Sequence, residues 1–223
     1  QDDGGDENFH LFAVDVSKEG SKARDLTPFE GAKAQNVITN KRFPDELLVA
    51  VNARDKAQFD MYRVQLESGD IKLDTENPGG IVGWGSEDES FEVREGIRVN
   101  PDSSKTVLVR DSTKAEWRDL AVFPYGEEGG MVDFCNDGEH ALMTSSVGRE
   151  TTALTKVKLS DGSTTEVIAF NDKADCGGIM LDEDTKAVRA VSFNYARTER
   201  TFFDEELKGH FDRLEGMGPD KAE

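Results

Sequence analysis

Several things that would quickly narrow the chemistry of this 223-residue sequence are scarce or missing. It has two cysteines, Cys135 and Cys176, and three histidines, His10, His140 and His210. Two cysteines make no disulfide framework, and both lie on or beside apolar strand-like segments, where a packed thiol is the ordinary outcome. No apolar run approaches the ~20 residues that cross a bilayer as a helix. No secretory leader pattern opens the chain, no initiator Met precedes Gln1, and no Asn-x-Ser/Thr acceptor occurs. Together these lead us to expect a cytoplasmic chain that is processed, excised or truncated. Positive charge is short as well: 27 Lys and Arg stand against 46 Asp and Glu, a formal charge of −19. Such a field repels nucleic-acid phosphates and anionic lipid, so neither is an expected partner, and its plainest use is solubility.

Catalytic signatures are missing too. A nucleophile elbow needs G-x-S-x-G, because small neighbours let Ser sit on a strained strand-to-helix turn. No Ser here has Gly at both the −2 and +2 positions: Ser86 follows Trp84-Gly85, and Ser163 follows Asp161-Gly162. The three histidines are scattered and show no base–nucleophile pairing. Zinc is not expected, since Cys135, His140, Cys176 and His10 form no closely spaced pair such as C-x2-C or H-x3-H. Asp182-Glu183-Asp184 and the stretch 133–138 lack the alternating oxygen ligands of a calcium loop and read as turns. Gly79-Gly80, Gly129-Gly130 and Gly177-Gly178 are followed by neither a helix start nor a Lys, so they are not phosphate loops. They precede apolar strands and suit close backbone approach. We therefore expect no catalytic, cofactor or metal residue in this chain, and leave open whether it is part of an enzyme.

Strand and turn signals are abundant. Strand-like runs fall at 9–16, 23–27, 46–52, 61–66, 71–74, 81–84, 91–99, 105–110, 117–123, 130–135, 140–145, 154–159, 164–168, 177–181 and 187–193, with turn clusters between them. The stretch 145–168 is typical: an alternating segment around Val157, the Asp161-Gly162 turn, then a second strand. AVDV at Ala13, RVQL at Arg63, TVLV at Thr106 and KVKL at Lys156 occupy equivalent places, roughly 40 to 50 residues apart. That period, with four short strands in each repeat, predicts an all-β partial propeller of four-stranded antiparallel blades, about four to five of them. A β-sandwich would not explain the long-range period. The end differs: Leu207, Phe211 and Leu214 share a helical face behind Asp204 as N-cap, predicting a short amphipathic helix over 204–215. Blades would then occupy 1–203 and a loose tail 216–223.

The ordered segments GDENFHLFAVDV from Gly5, DLTPF from Asp25, FPDE from Phe43, YRV from Tyr62, SSVGRETTAL from Ser145 and AVSFNY from Ala190 carry a resemblance. Together they resemble the N-terminal propeller of prolyl-oligopeptidase-family serine peptidases, over almost the whole chain. In that family the propeller sits over an α/β-hydrolase domain and limits access to a Ser-Asp-His triad. The resemblance therefore implies a non-catalytic portion that gates and binds peptide substrates and docks on a hydrolase domain. The catalytic domain is missing from this chain, and no triad residue carries over. A free-standing propeller-like protein-interaction module is the alternative. Arg149 and Glu150, in a loop between two strands of one blade, and Tyr195 and Arg197, after the last apolar strand, are the candidate contacts with substrate or hydrolase domain. For Arg149 and Glu150 the bland alternative is a surface ion pair. Open blade edges would favour self-association.

Overall fold

The computed structural model describes residues 1, 2 and 4–217. The expected tail lies outside the described residues from position 218 onward. The chain divides into two compact units, Gln1–Tyr125 and the part from Gly126 onward.

The first unit holds three antiparallel sheets. β1 (Phe12–Ala13) pairs with β2 (Arg24–Asp25). A four-stranded sheet follows in chain order: β3 (Ala34–Thr39), β4 (Glu46–Asp55), β5 (Gln58–Gln65) and β6 (Ile71–Thr75). A second repeats that order with β7 (Ile81–Ser86), β8 (Val93–Val99), β9 (Lys105–Val109) and β10 (Arg118–Phe123). The second unit has a four-stranded sheet, β11 (Gly129–Phe134), β12 (His140–Ser145), β13 (Ala153–Lys158) and β14 (Thr164–Ala169). A three-stranded sheet, β15 (Cys176–Leu181), β16 (Val188–Asn194) and β17 (Thr198–Phe202), precedes helix α1 (Glu205–Met217).

The all-β partial propeller with a short C-terminal helix is therefore the fold, and strand equivalence follows the repeat. Arg63, Thr106 and Lys156 lie in β5, β9 and β13, each the third strand of its sheet. Ala13 lies in β1, which pairs with β2 in a two-stranded sheet. The turns between third and fourth strands use Gly69 and Gly162 at φ of 79° and 71°, a region that excludes most side chains. Asp204 caps α1: its Oδ1 accepts the Leu207 amide at 2.9 Å, and its Oδ2 accepts from Arg189 at 2.6 Å.

Strand existence departs from expectation at two places. β3, AQNVIT, escaped the pattern because it is half polar and Asn36 sits at φ 49°. β17, TERTF, has no buried residue and no apolar alternation to betray it. At the start, the runs expected at 9–16 and 23–27 shrink to two-residue strands. The glycine pairs sit where expected, at the entry to first strands or inside them. A Cβ on Gly177 would lie 3.1 Å from the Ser192 carbonyl oxygen, so close backbone approach is real there.

Both faces of the middle strands are buried, as stacked sheets require. In β13, Leu154 and Val157 are both at most 2% exposed although they are on opposite faces. Leu142, Leu154 and Ala169 of one sheet pack with Val191 and Phe193 of the next. In the first unit, Leu48, Ala50 and Met61 pack with Ile81, Trp84 and Val93. Polar side chains fix the spacing between neighbouring sheets. Asn40 donates to the Asp88 carbonyl at 2.9 Å, and Asn136 to the Asp184 carbonyl at 2.6 Å. Asn36 accepts the Trp84 amide at 2.9 Å. Each of these bonds spans 48 residues.

Candidate functional site

The loop between β12 and β13 is a built structure. Ser146, nearly buried, donates from Oγ to Glu127 at 2.5 Å while that same oxygen accepts the Glu128 amide at 2.8 Å. The Arg149 amide returns to the Ser146 carbonyl at 2.8 Å, with Gly148 at φ 74° making the turn. At the far end Thr151 donates to the Asn171 carbonyl at 2.5 Å, and the Thr152 amide to Asp175 at 2.8 Å. Both ends are anchored, and Val147, Gly148 and Glu150 project into solvent with Arg149 half-buried among them.

The expected ion pair between Arg149 and Glu150 does not form. Arg149 instead donates to the Val147 carbonyl at 3.4 Å, a long bond that uses one of the guanidinium's five donors. Tyr195 and Arg197 occupy the turn between β16 and β17, closed by the Asn194–Thr198 pairing and by a 2.7 Å bond from the Thr198 hydroxyl to Asn194 Oδ1. Tyr195 is 71% exposed. This turn is the topological equivalent of the β12–β13 loop, since both join second to third strands. The two are also linked physically. The Cys176 amide donates to the Thr152 hydroxyl at 2.9 Å, and Cys176 pairs across the sheet with Phe193, two residues before Tyr195.

Elsewhere among the described residues two histidines meet carboxylates in pairs. His10 meets Asp25 at 2.7 Å in the first unit, and His140 meets Asp137 at 3.0 Å in the second. Asp137 also accepts from Lys156 Nζ at 3.0 Å and from the Glu139 and His140 amides. Partial burial opposes its charge, but these donors prevail and hold its carboxyl far below the usual range. Burial pushes the Cys135 and Cys176 thiols up, away from thiolate reactivity. No group of three or more His, Cys, Asp or Glu among the described residues could hold a metal ion. A cleft of about 470 Å³ on the β1–β2 face is lined by Asp2, Asp6, Asp25 and Glu30 beside His10 and Phe12, an acidic patch without a nucleophile.

Sequence reasoning missed two anchoring arginines of the first unit, the half-buried Arg63 and the buried Arg110. Arg63 donates to Glu46 at 2.6 Å, Asp74 at 3.0 Å and the Phe91 carbonyl at 2.7 Å, with its guanidinium over the Phe91 ring. Arg110 donates to the Val93 carbonyl at 2.8 Å and the Thr75 hydroxyl at 2.6 Å and stacks on Trp117. Burial lowers the Arg110 pKa. Both tie neighbouring sheets together, Arg110 from a buried position and Arg63 from a half-buried one.

Comparison with known proteins follows the same lines. No protein-family model matches the chain. It is 35% identical over 224 residues to dipeptidyl aminopeptidase BIII of Pseudoxanthomonas mexicana, covering 98% of this chain and 31% of that protein. The chain thus spans about a third of the length of that curated relative. Among solved structures it is similar to a puromycin-hydrolyzing peptidase of Mycobacterium tuberculosis, with TM-score 0.59, 13% identity, and 90% of this chain and 34% of that one covered. TolB of Acinetobacter baumannii is similar as well, with TM-score 0.58, 12% identity, and 88% and 46% covered. At these identities the structures speak to the fold alone. The chain is homologous to the propeller portion of prolyl-oligopeptidase-family peptidases.

Proposed function

We propose that this chain is the non-catalytic propeller portion of a prolyl-oligopeptidase-like serine peptidase, where it gates and helps bind peptide substrates and docks on a hydrolase domain. The observation that carries this reading is the match of nearly the whole chain to a third of a dipeptidyl aminopeptidase. The absence of a nucleophile elbow in these residues agrees with chemistry placed elsewhere. On this reading residues 1–203 act as one run of blades, and Arg149, Glu150, Tyr195 and Arg197 are the contacts with substrate or hydrolase domain. Rigidly anchored loops on a sheet scaffold are where binding residues ordinarily sit. Two free thiols fit a reducing compartment such as the cytoplasm.

The test has two arms on the purified chain. A fluorophosphonate serine probe should leave it unlabelled, and short peptides should perturb amide resonances of the β12–β13 and β16–β17 connections in a titration followed by NMR. Labelling of a serine here would sink the non-catalytic reading, and no perturbation by any peptide would sink the binding role. A free-standing interaction module is the second reading. It predicts capture of a folded protein partner with no response to peptides.

A further inference from the structure

The chain carries 46 acidic residues, and most of its well-placed arginines are engaged with them or with backbone. Arg54 meets Asp60, Arg63 meets Glu46 and Asp74, Arg98 meets Asp119, Arg118 meets Asp111 and Arg189 meets Asp204. Arg149 and Arg197 break that rule. Arg149 has a single long bond to the Val147 carbonyl and no carboxylate partner among the described residues. Arg197 is exposed, and among the described residues its guanidinium has neither an ion-pair nor a hydrogen-bond partner.

The two are brought to one rim by the contacts already described. Thr152, three residues after Arg149, accepts the Cys176 amide, and Cys176 pairs with Phe193, just before the turn that carries Tyr195 and Arg197. Gly177 and Gly178, which follow Cys176 on β15, are both exposed. The acids there do not neutralise the arginines. Asp175 is committed to the Thr152 amide, while Glu150 and Glu199 are exposed and unbridged to either guanidinium.

A guanidinium offers five donors in a planar fork that matches a carboxylate. Leaving two such forks open on adjacent loops of a strongly acidic chain leaves a local demand for an anion of that shape. The exposed Tyr195, two residues before Arg197 in the same turn, offers a ring face and a hydroxyl. We propose that the rim formed by Arg149, Tyr195 and Arg197 receives a carboxylate of a bound peptide. This deepens the peptide-binding reading above and rests on it.

The experiment uses the full chain and three unlabelled pentapeptides: Gly-Ala-Leu-Ala-Gly with a free C-terminal carboxylate, its C-terminal amide, and the same amide with the central residue replaced by Glu. Dissociation constants come from NMR titration, with circular dichroism confirming the fold of each variant. The free acid should bind roughly tenfold more tightly than the amide, the scale of one charge-assisted hydrogen-bonded pair. Arg149→Ala and Arg197→Ala should each shrink that ratio toward one, by weakening the free acid more than the amide, and leave the melting temperature unmoved. Arg149→Lys, which keeps charge but loses the fork, should recover only part of it. If the Glu-containing amide regains affinity, the carboxylate comes from a side chain; if it does not, from the peptide terminus. Equal binding of acid and amide, or an acid preference that survives both alanine variants, overturns the carboxylate assignment and leaves the peptide-binding reading standing. Failure of every peptide to bind overturns both.

Discussion

The hydrogen-bonding capacity of single carboxylates decides much of what these residues contribute. Asp137 gathers two backbone amides, a lysine and a histidine at the β11–β12 turn, which lowers its folded pKa relative to the unfolded chain. A lowered carboxylate pKa contributes stability that is fully present above the unfolded value, about 4, and is lost as pH falls through the folded value. Asp137→Asn keeps the turn acceptor but removes the charge. Because the side chain is 40% exposed, solvent screening limits the cost to about 1 kcal/mol at pH 7. In urea denaturation the gap between Asp137→Asn and the parent should hold steady from pH 7 to about 5 and close below about 4. A gap that widens on acidification would mean that the charge opposes folding. Arg63 is the converse case, a cation between two partly buried acids. Arg63→Met leaves Glu46 and Asp74 facing each other without it, and the expected loss is about 3 kcal/mol in the same assay.

Stacking of neighbouring sheets gives the strand its sensitivity to substitution. Val157 is 2% exposed on β13, so Val157→Asp sets an unpaired charge in an apolar layer and should cost several kcal/mol, about 3 or more, by equilibrium unfolding. A neutral result would mean that Val157 faces solvent in solution. At this scale the sequence was readable wherever side-chain chemistry alternates or a turn needs special residues. β12 appears at 140–145 as the pattern predicts, and α1 follows the Leu207 and Phe211 spacing behind its Asp204 cap. It was unreadable where packing replaces alternation. β17 is held by pairing with β16 and by Phe202 against Phe211, and β3 by pairing with β4 and by Asn36 reaching across to Trp84. The candidate loop was legible as a position, through its ordered SSVGRETTAL string. Its electrostatics were not, because whether Arg149 meets Glu150 depends on a turn that aims the two side chains separately. The sequence likewise gives no sign of the Arg63 and Arg110 anchors, whose partners lie in strands far along the chain.

Net charge governs the behaviour of the molecule as a whole. With −19 distributed over 223 residues, self-repulsion opposes both compaction and contact between copies, and salt screens it over a Debye length of about 10 Å at 0.1 M. Raising NaCl from 20 mM to 500 mM should raise the melting temperature. The outer edge of β17 and the edge of β1 away from β2 have no strand partner among the described residues, an invitation to pairing between chains. Sedimentation should therefore show association that increases with both protein concentration and salt. A chain that stays monomeric at high salt, with one sharp high-temperature transition, would count against open edges as sticky surfaces. Tyr125, the last residue of the first compact unit, is 82% accessible, so mild chymotrypsin should cut there first.

The asparagine bridges act as a ruler. Asn40 reaches a carbonyl 48 residues on, and so does Asn136, while Asp88 and Asn136 stand the same interval apart in sequence. Side chains and their receiving carbonyls therefore recur in phase along the chain, independently of what the intervening loops contain. Lengthening a loop between two bridges stretches the count but leaves both ends of each bond in register, because each is fixed by its own turn. Positions 88 and 184 hold aspartate, whose side chain has no N–H to give, so the asparagine donors at 40 and 136 stand two intervals apart. The register device repeats per pair of blades, and the pair is the unit whose duplication supplies a new donor with its receiving carbonyl.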